Sequence, residues 1–173
     1  RHFQRQLSAC SNYEFEDVIG QVEDVDIPAG RPSSRYGLRR RIANRLARHV
    51  AISSVNPGIR EVRIKPRYKL FFAASMLMHD LLSLNSCRYW RKRCDVAVCW
   101  LTEAWATEVK RWKPYRRILS QFDYVILGCS ASVEPMKDLI KRPCFFMPPG
   151  IDAIRFCPYP NPVLQNRYRP RCD

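Results

Sequence analysis

Residues 123–148 read "DYVILGCSASVEPMKDLIKRPCFFMP", and the hydrophobic period changes twice within them. "DYVILGCS" is a short run of β-branched and aromatic residues ending in small ones, which predicts a buried strand. "SVEPMKDLI" follows with helical spacing, Ser132 in the N-cap position and Glu134 and Pro135 in the first turn, a combination that favours a helix start. "PCFFMP" then returns to an apolar run bounded by prolines and predicts another strand. Strand, helix and strand at this spacing make a βαβ unit.

The same alternation extends upstream to about Arg60. "KLFFAAS" (69–75) and "DVAVCWL" (95–101) predict two further strands. Between them "DLLSLNSCRYWRKR" (80–93) predicts a helix with Asp80 near its start. "TEVKRW" and "PYRRILSQF" predict helical pieces divided by Pro114, which suits the first position of a new helix. Repeated βαβ units joined by right-handed crossovers imply an α/β fold, a Rossmann-like three-layer sandwich with a mostly parallel sheet. The first sixty residues are less regular: "EDVIGQVEDVDIP" alternates enough for one or two strands, and "AGRPSS" is a turn-rich connector. "YGLRRRIANRLARHVAI" predicts a helix whose stripe of Leu38, Ile42, Leu46 and Val50 packs on the sheet, with Arg39, Arg40, Arg41, Arg45 and Arg48 largely elsewhere.

Bulk properties narrow the function classes. The chain has 173 residues, 46% of them hydrophobic, which suffices for a globular core. No apolar run approaches the roughly 18 residues of a membrane helix. A net charge of +14 favours anionic partners: nucleic acid, lipid head groups or phosphorylated small molecules. Eight cysteines lack C-x-x-C spacing and several sit inside apolar runs, so reduced, buried thiols are expected and a zinc site is not. The six glycines, at 20, 30, 37, 58, 128 and 150, assemble neither G-x-G-x-x-G nor a Walker A loop. "GCSAS" lacks the second glycine of a nucleophile elbow, which disfavours serine hydrolase chemistry.

In open α/β sheets ligands bind outside the carboxyl ends of the strands. That rule nominates Ser75 and His79 after the first predicted strand, and Trp100, Glu103 and Trp105 after the second. Ser130 and Ser132 follow the third, Pro149 and Gly150 the fourth. Glu103 stands between two tryptophans in "CWLTEAW", which suits a carboxylate of raised pKa or a sugar ring framed by aromatic faces; equally, both indoles can be core and Glu103 a helix cap. His79 is either a base or phosphate ligand, or a packed structural residue. Ser130 and Ser132 lie where free backbone N–H groups attract phosphate or carboxylate, and Ser132 also serves as a simple cap. The Arg-rich helix suits nucleic acid, an anionic membrane or plain solvation, and no RRM, KH or zinc-finger signature accompanies it.

The stretch "FDYVILGCSASVEPMKDLIKRPCFFMPPGIDAIRFCPYP" (122–160) resembles the end of the N-terminal domain of bacterial retaining GT-B glycosyltransferases, the group 1 or family 4-like type. The resemblance lies in a strand ending at a small-residue turn and Ser130, a helix, a short strand, the turn of Pro148, Pro149, Gly150, Ile151 and Asp152, and a closing Phe156. Pro149 replaces the usual Asn. "RYWRKRCDVAVCWLTEAWATEV" is similar to the same branch, and the Gly-rich acceptor-side loop of such domains has no counterpart in the first sixty residues.

This resemblance implies the N-terminal half of a GT-B fold: residues 1–150 form an acceptor-side Rossmann-like domain, and 151–173 a linker and the interrupted start of a donor-binding domain. It implies a hexosyltransferase-like enzyme that carries a sugar from a nucleotide-sugar to a glycan or other acceptor without a metal or other cofactor, and an isolated chain that is inactive. Glu103, Trp105 and His79 would contact the acceptor, while Ser130, Ser132, Gly150 and Asp152 would lie on the donor side of the cleft. The expected setting is the cytoplasm, with peripheral contact at the inner face of the membrane and no specific nucleic acid. The alternative from another class is a basic single-domain module that binds nucleic acid or an anionic membrane surface.

Overall fold

The computed structural model describes residues 19–20, 23–28 and 30–150. Its centre is a four-stranded parallel sheet in the order β2 (Tyr68–Ser75), β4 (Cys94–Leu101), β5 (Tyr124–Leu127), β6 (Cys144–Phe146). Two short strands, β1 (Val62–Arg63) and β3 (Cys87–Arg88), pair in parallel as a separate ribbon that the sequence pattern does not announce. The class is α/β with Rossmann-like winding, as the alternation of periods implies.

Spatial order in the main sheet equals chain order. Right-handed crossovers between successive parallel strands therefore place their connections on one face. Side-chain burial agrees. Ala97, Cys99, Leu101, Val125, Leu127 and Cys144 point into one apolar cluster with Leu81, Leu82, Trp112, Leu119, Met136 and Ile140 from the connecting segments. The register places Leu70, Val96, Tyr124 and Phe145, one from each strand, on the opposite face, where all four are exposed.

Helix α1 (Tyr36–Val50) is present, but its inward face differs from the expected one. Ala43 and Ala47 are fully buried, whereas Leu38, Ile42 and Val50 are 61%, 48% and 58% exposed. The helix packs on the 3-10 helix Ala106–Tyr115, and two alanines permit the close approach that a Leu/Ile stripe would block. Its end is set by Ala51 in the left-handed region, whose N–H donates to the Leu46 carbonyl. The following loop is tied by Asn56, whose Oδ1 accepts from the N–H groups of Gly58 (2.8 Å) and Ile59 (2.9 Å). Gly58 has φ +97° and lies against α1, where a Cβ would stand 2.9 Å from the Cβ of Arg39.

The single helix expected over 80–93 is also corrected. It is broken into 3-10 turns at Met78–Ser86 and Trp90–Arg93, with β3 between them. The cause is tertiary: Asn85 Nδ2 donates to the carbonyls of Ser53 and Val55, and Tyr89 takes φ 65° beside Trp90, which stacks on Phe71 (4.6 Å) and meets Phe122 at a tilt (4.9 Å). Pro114 does not divide two helices either. It lies inside the 3-10 helix Ala106–Tyr115, and α2 (Arg116–Leu119) starts just beyond it. Helix α3 (Val133–Ile140) matches the prediction. The described part of "EDVIGQVEDVDIP", residues 19–20 and 23–28, forms no strand. The expected linker at 151–173 lies outside the described residues.

Candidate functional site

The carboxyl ends of the four strands are fastened to one another. The Thr102 N–H donates to the Ser75 carbonyl at 3.1 Å, Gly128 N–H to the Leu101 carbonyl at 2.9 Å, and Met147 N–H to the Leu127 carbonyl at 3.0 Å. Gly128 brings the β5 exit so close to the β4 exit that a Cβ there would stand 2.4 Å from the Thr102 carbonyl oxygen. This row fixes one rim of the sheet. The segments carrying His79, Glu103, Trp105, Ser130 and Gly150 all depart from it.

His79 lies in the first 3-10 turn after β2, with its side chain 26% exposed. Its Nε2 stands 3.7 Å from Asp80 Oδ1, while Asp80 Oδ2 accepts the Leu77 N–H at 2.9 Å and so closes the turn. Burial pushes the imidazole below its ordinary pKa; Asp80 opposes that, and Arg40 and Arg48 of α1 reinforce it. Arg48 also lies beside Tyr115, whose phenol burial holds above its ordinary pKa. His79 thus belongs to the contact between α1 and the sheet rim, as a neutral, partly packed imidazole.

Glu103 and Trp105 are both exposed in the loop after β4, and Trp105 is 57% accessible. The Trp105 carbonyl accepts the Glu108 N–H at 2.9 Å, which starts the next 3-10 helix. Trp100 is instead buried within β4. Only one of the two indoles flanking Glu103 in sequence is therefore offered to solvent, an arrangement suited to stacking one ligand face rather than sandwiching a ring.

After β5, Ser130 is exposed and Ser132 is fully buried. Ser132 occupies the N-cap position of α3, yet its hydroxyl donates to the Cys129 carbonyl at 2.6 Å instead of capping the helix. That bond leaves Ser132 a turn-forming residue. Gly150 is exposed, and a Cβ there would meet none of the described residues within 4 Å; Asp152 lies outside the described residues.

One ion pair at the amino end of the main sheet and another on the β1–β3 ribbon have no counterpart in the sequence reading. Asp123 takes both oxygens to Arg91 Nη2 (2.8 and 3.1 Å) and accepts the Ala97 N–H at 2.8 Å, pinning the start of β5 to β4. Arg88 meets Glu61 through two parallel bonds of 2.9 and 2.8 Å, and the guanidinium lowers the Glu61 carboxyl pKa. Beside them opens a cleft of about 500 Å³ lined by Asn56, Asn85, Arg88, Trp90 and Lys92 among others. Partners 27 and 32 residues apart carry no local signal.

Among the described residues no group of three His, Cys, Asp or Glu side chains could hold a metal ion, and Cys87, Cys94, Cys99, Cys129 and Cys144 are free thiols. No described helix is long and apolar enough to cross a membrane. Comparison with protein-family models, curated proteins and solved structures gives no match.

Proposed function

We propose that this chain is the acceptor-side α/β domain of a hexosyltransferase-like enzyme, which transfers a sugar from a nucleotide-sugar to a glycan or other acceptor in the cytoplasm. The observation that carries the reading is the rim itself: exposed Glu103 and Trp105 follow β4, and exposed Ser130 and Gly150 follow β5 and β6, all beyond the carboxyl ends of adjacent parallel strands, where ligands of such sheets bind. An indole face presents the flat apolar surface on which a sugar ring stacks, and an adjacent carboxylate accepts hydrogen bonds from its hydroxyls. The strand, turn and helix over 122–150 supports the same reading through its resemblance to GT-B enzymes. His79 shapes the acceptor side through α1, and Ser132 holds the turn from which Ser130 projects.

In this reading a further domain supplies the donor site. Catalysis in such an enzyme is chiefly positioning and stabilisation of the departing diphosphate, so this chain alone should bind acceptor and not turn over. Saturation-transfer NMR with a panel of saccharides should detect binding that Trp105→Ala weakens at least about tenfold, since stacking supplies most of the contact. A panel with no binder, or binding indifferent to Trp105→Ala and Glu103→Gln, would sink the proposal. A second reading, a basic module for nucleic acid or an anionic membrane, rests on α1.

A further inference from the structure

We infer that the outer face of α1 docks on an anionic lipid bilayer surface. The inference stands on helix geometry and exposure, and does not depend on the sugar-transfer reading. At 3.6 residues per turn, burial of Ala43 and Ala47 turns Leu38, Arg41, Ile42, Arg45 and His49 to the opposite side. Leu38 and Ile42, one turn apart on this side, are 61% and 48% exposed. Arginines flank these residues along the helix, and α1 contains no acidic side chain. Among the described residues the outward apolar pair stays exposed: the helix is anchored by its alanines, and Arg40 lies over the Tyr36 ring at 5.6 Å.

An apolar ridge bordered by guanidinium groups matches one occupant best. The head-group layer of a bilayer rich in phosphatidylserine or phosphatidylglycerol offers phosphates and carboxylates to the arginines, and acyl-chain boundary to Leu38 and Ile42 just beneath them. A nucleic-acid backbone would satisfy the arginines but would leave the two aliphatic side chains against charged phosphate. The overall charge of +14 adds long-range attraction to the same surface.

The test is co-sedimentation of the full chain with vesicles of 30% phosphatidylserine in phosphatidylcholine, against pure phosphatidylcholine, at about 0.1 M salt, where charges are screened beyond roughly 10 Å. The expected result is binding to the anionic vesicles only. Leu38→Gln with Ile42→Gln should weaken it about five- to tenfold, through lost apolar insertion. Arg41→Gln with Arg45→Gln should weaken it about 25-fold, at roughly fivefold per charge. Glutamine keeps helix propensity and all four positions are exposed, so thermal melts should match the parent. Absence of binding to anionic vesicles overturns the inference. So does binding unchanged by the Leu38 and Ile42 pair, which would mean charge alone, or duplex DNA displacing the chain from vesicles with an affinity indifferent to that pair. A saccharide titration of the same variants reads the rim independently, so either proposal can fail without the other.

Discussion

His79 shows how surroundings decide between two readings that composition leaves open. Packed among Met and Leu in sequence, it meets two arginines from a helix some thirty residues earlier, and burial with those charges disfavours its protonated form. A histidine with a depressed pKa in the folded state binds its proton more readily once unfolded. Protonation therefore favours unfolding: the stability is intact above the ordinary value of 6.5 and declines as pH falls below it toward the folded-state pKa. Equilibrium denaturation at pH 7.5 and pH 5.5 should show a loss at the lower pH that is smaller in His79→Gln. An equal loss in both proteins would assign the acid sensitivity elsewhere.

At the scale of elements, the rim depends on how closely β4 and β5 exit side by side. Gly128→Ala would set a methyl group against the Thr102 carbonyl and force the two exits apart. It should lower stability by about 2 kcal/mol or more, the range of overpacking against a rigid neighbour, as read from the urea midpoint. The strands themselves were legible because each is a compact apolar run closed by Asp, Pro or small residues, and such runs have few other uses in a chain of this charge. Two features were not. In α1 the Leu38–Ile42 stripe and the Ala43–Ala47 stripe have the same helical period, and apolar content favours the wrong one; the choice is made by how near the 106–115 segment must come. The break in 80–93 comes from the Asn85 amide binding carbonyls about 30 residues away, a decision absent from any local window. Among the candidate residues, Glu103, Trp105 and Ser130 do lie on segments leaving the neighbouring strands β4 and β5, as position after a strand implies. Position could not foresee that Trp100, on the face opposite the main cluster, and Ser132 would both be buried.

For the molecule as a whole, the cysteines measure the integrity of the core. Cys99 is fully buried within β4, where burial raises its pKa far above the normal thiol range, and Cys144 is pushed up to about 11. Both are protonated at neutral pH and shielded, hence poor nucleophiles. In the native protein they should react with a disulfide reagent about a thousandfold more slowly than in urea, at the pace of unfolding. Peptide mapping after pulsed labelling identifies which positions react, and prompt labelling of Cys99 would show that the sheet opens locally.

The identity between strand order in space and strand order in the chain also has a kinetic meaning. Leu70 pairs with Val96 and Val98 with Tyr124, each 26 positions on, while Val125 pairs with Cys144 after 19. Loop closure over such similar distances costs nearly the same, within about 0.3 kcal/mol. No pairing has to wait for a distant end of the chain. During synthesis each strand therefore emerges when its only neighbour so far is already available, and the sheet can grow by accretion in the direction of translation. Moving the last strand to the front of the gene would leave every contact possible and remove that order of arrival, separating the time at which this sheet forms from the stability it finally reaches.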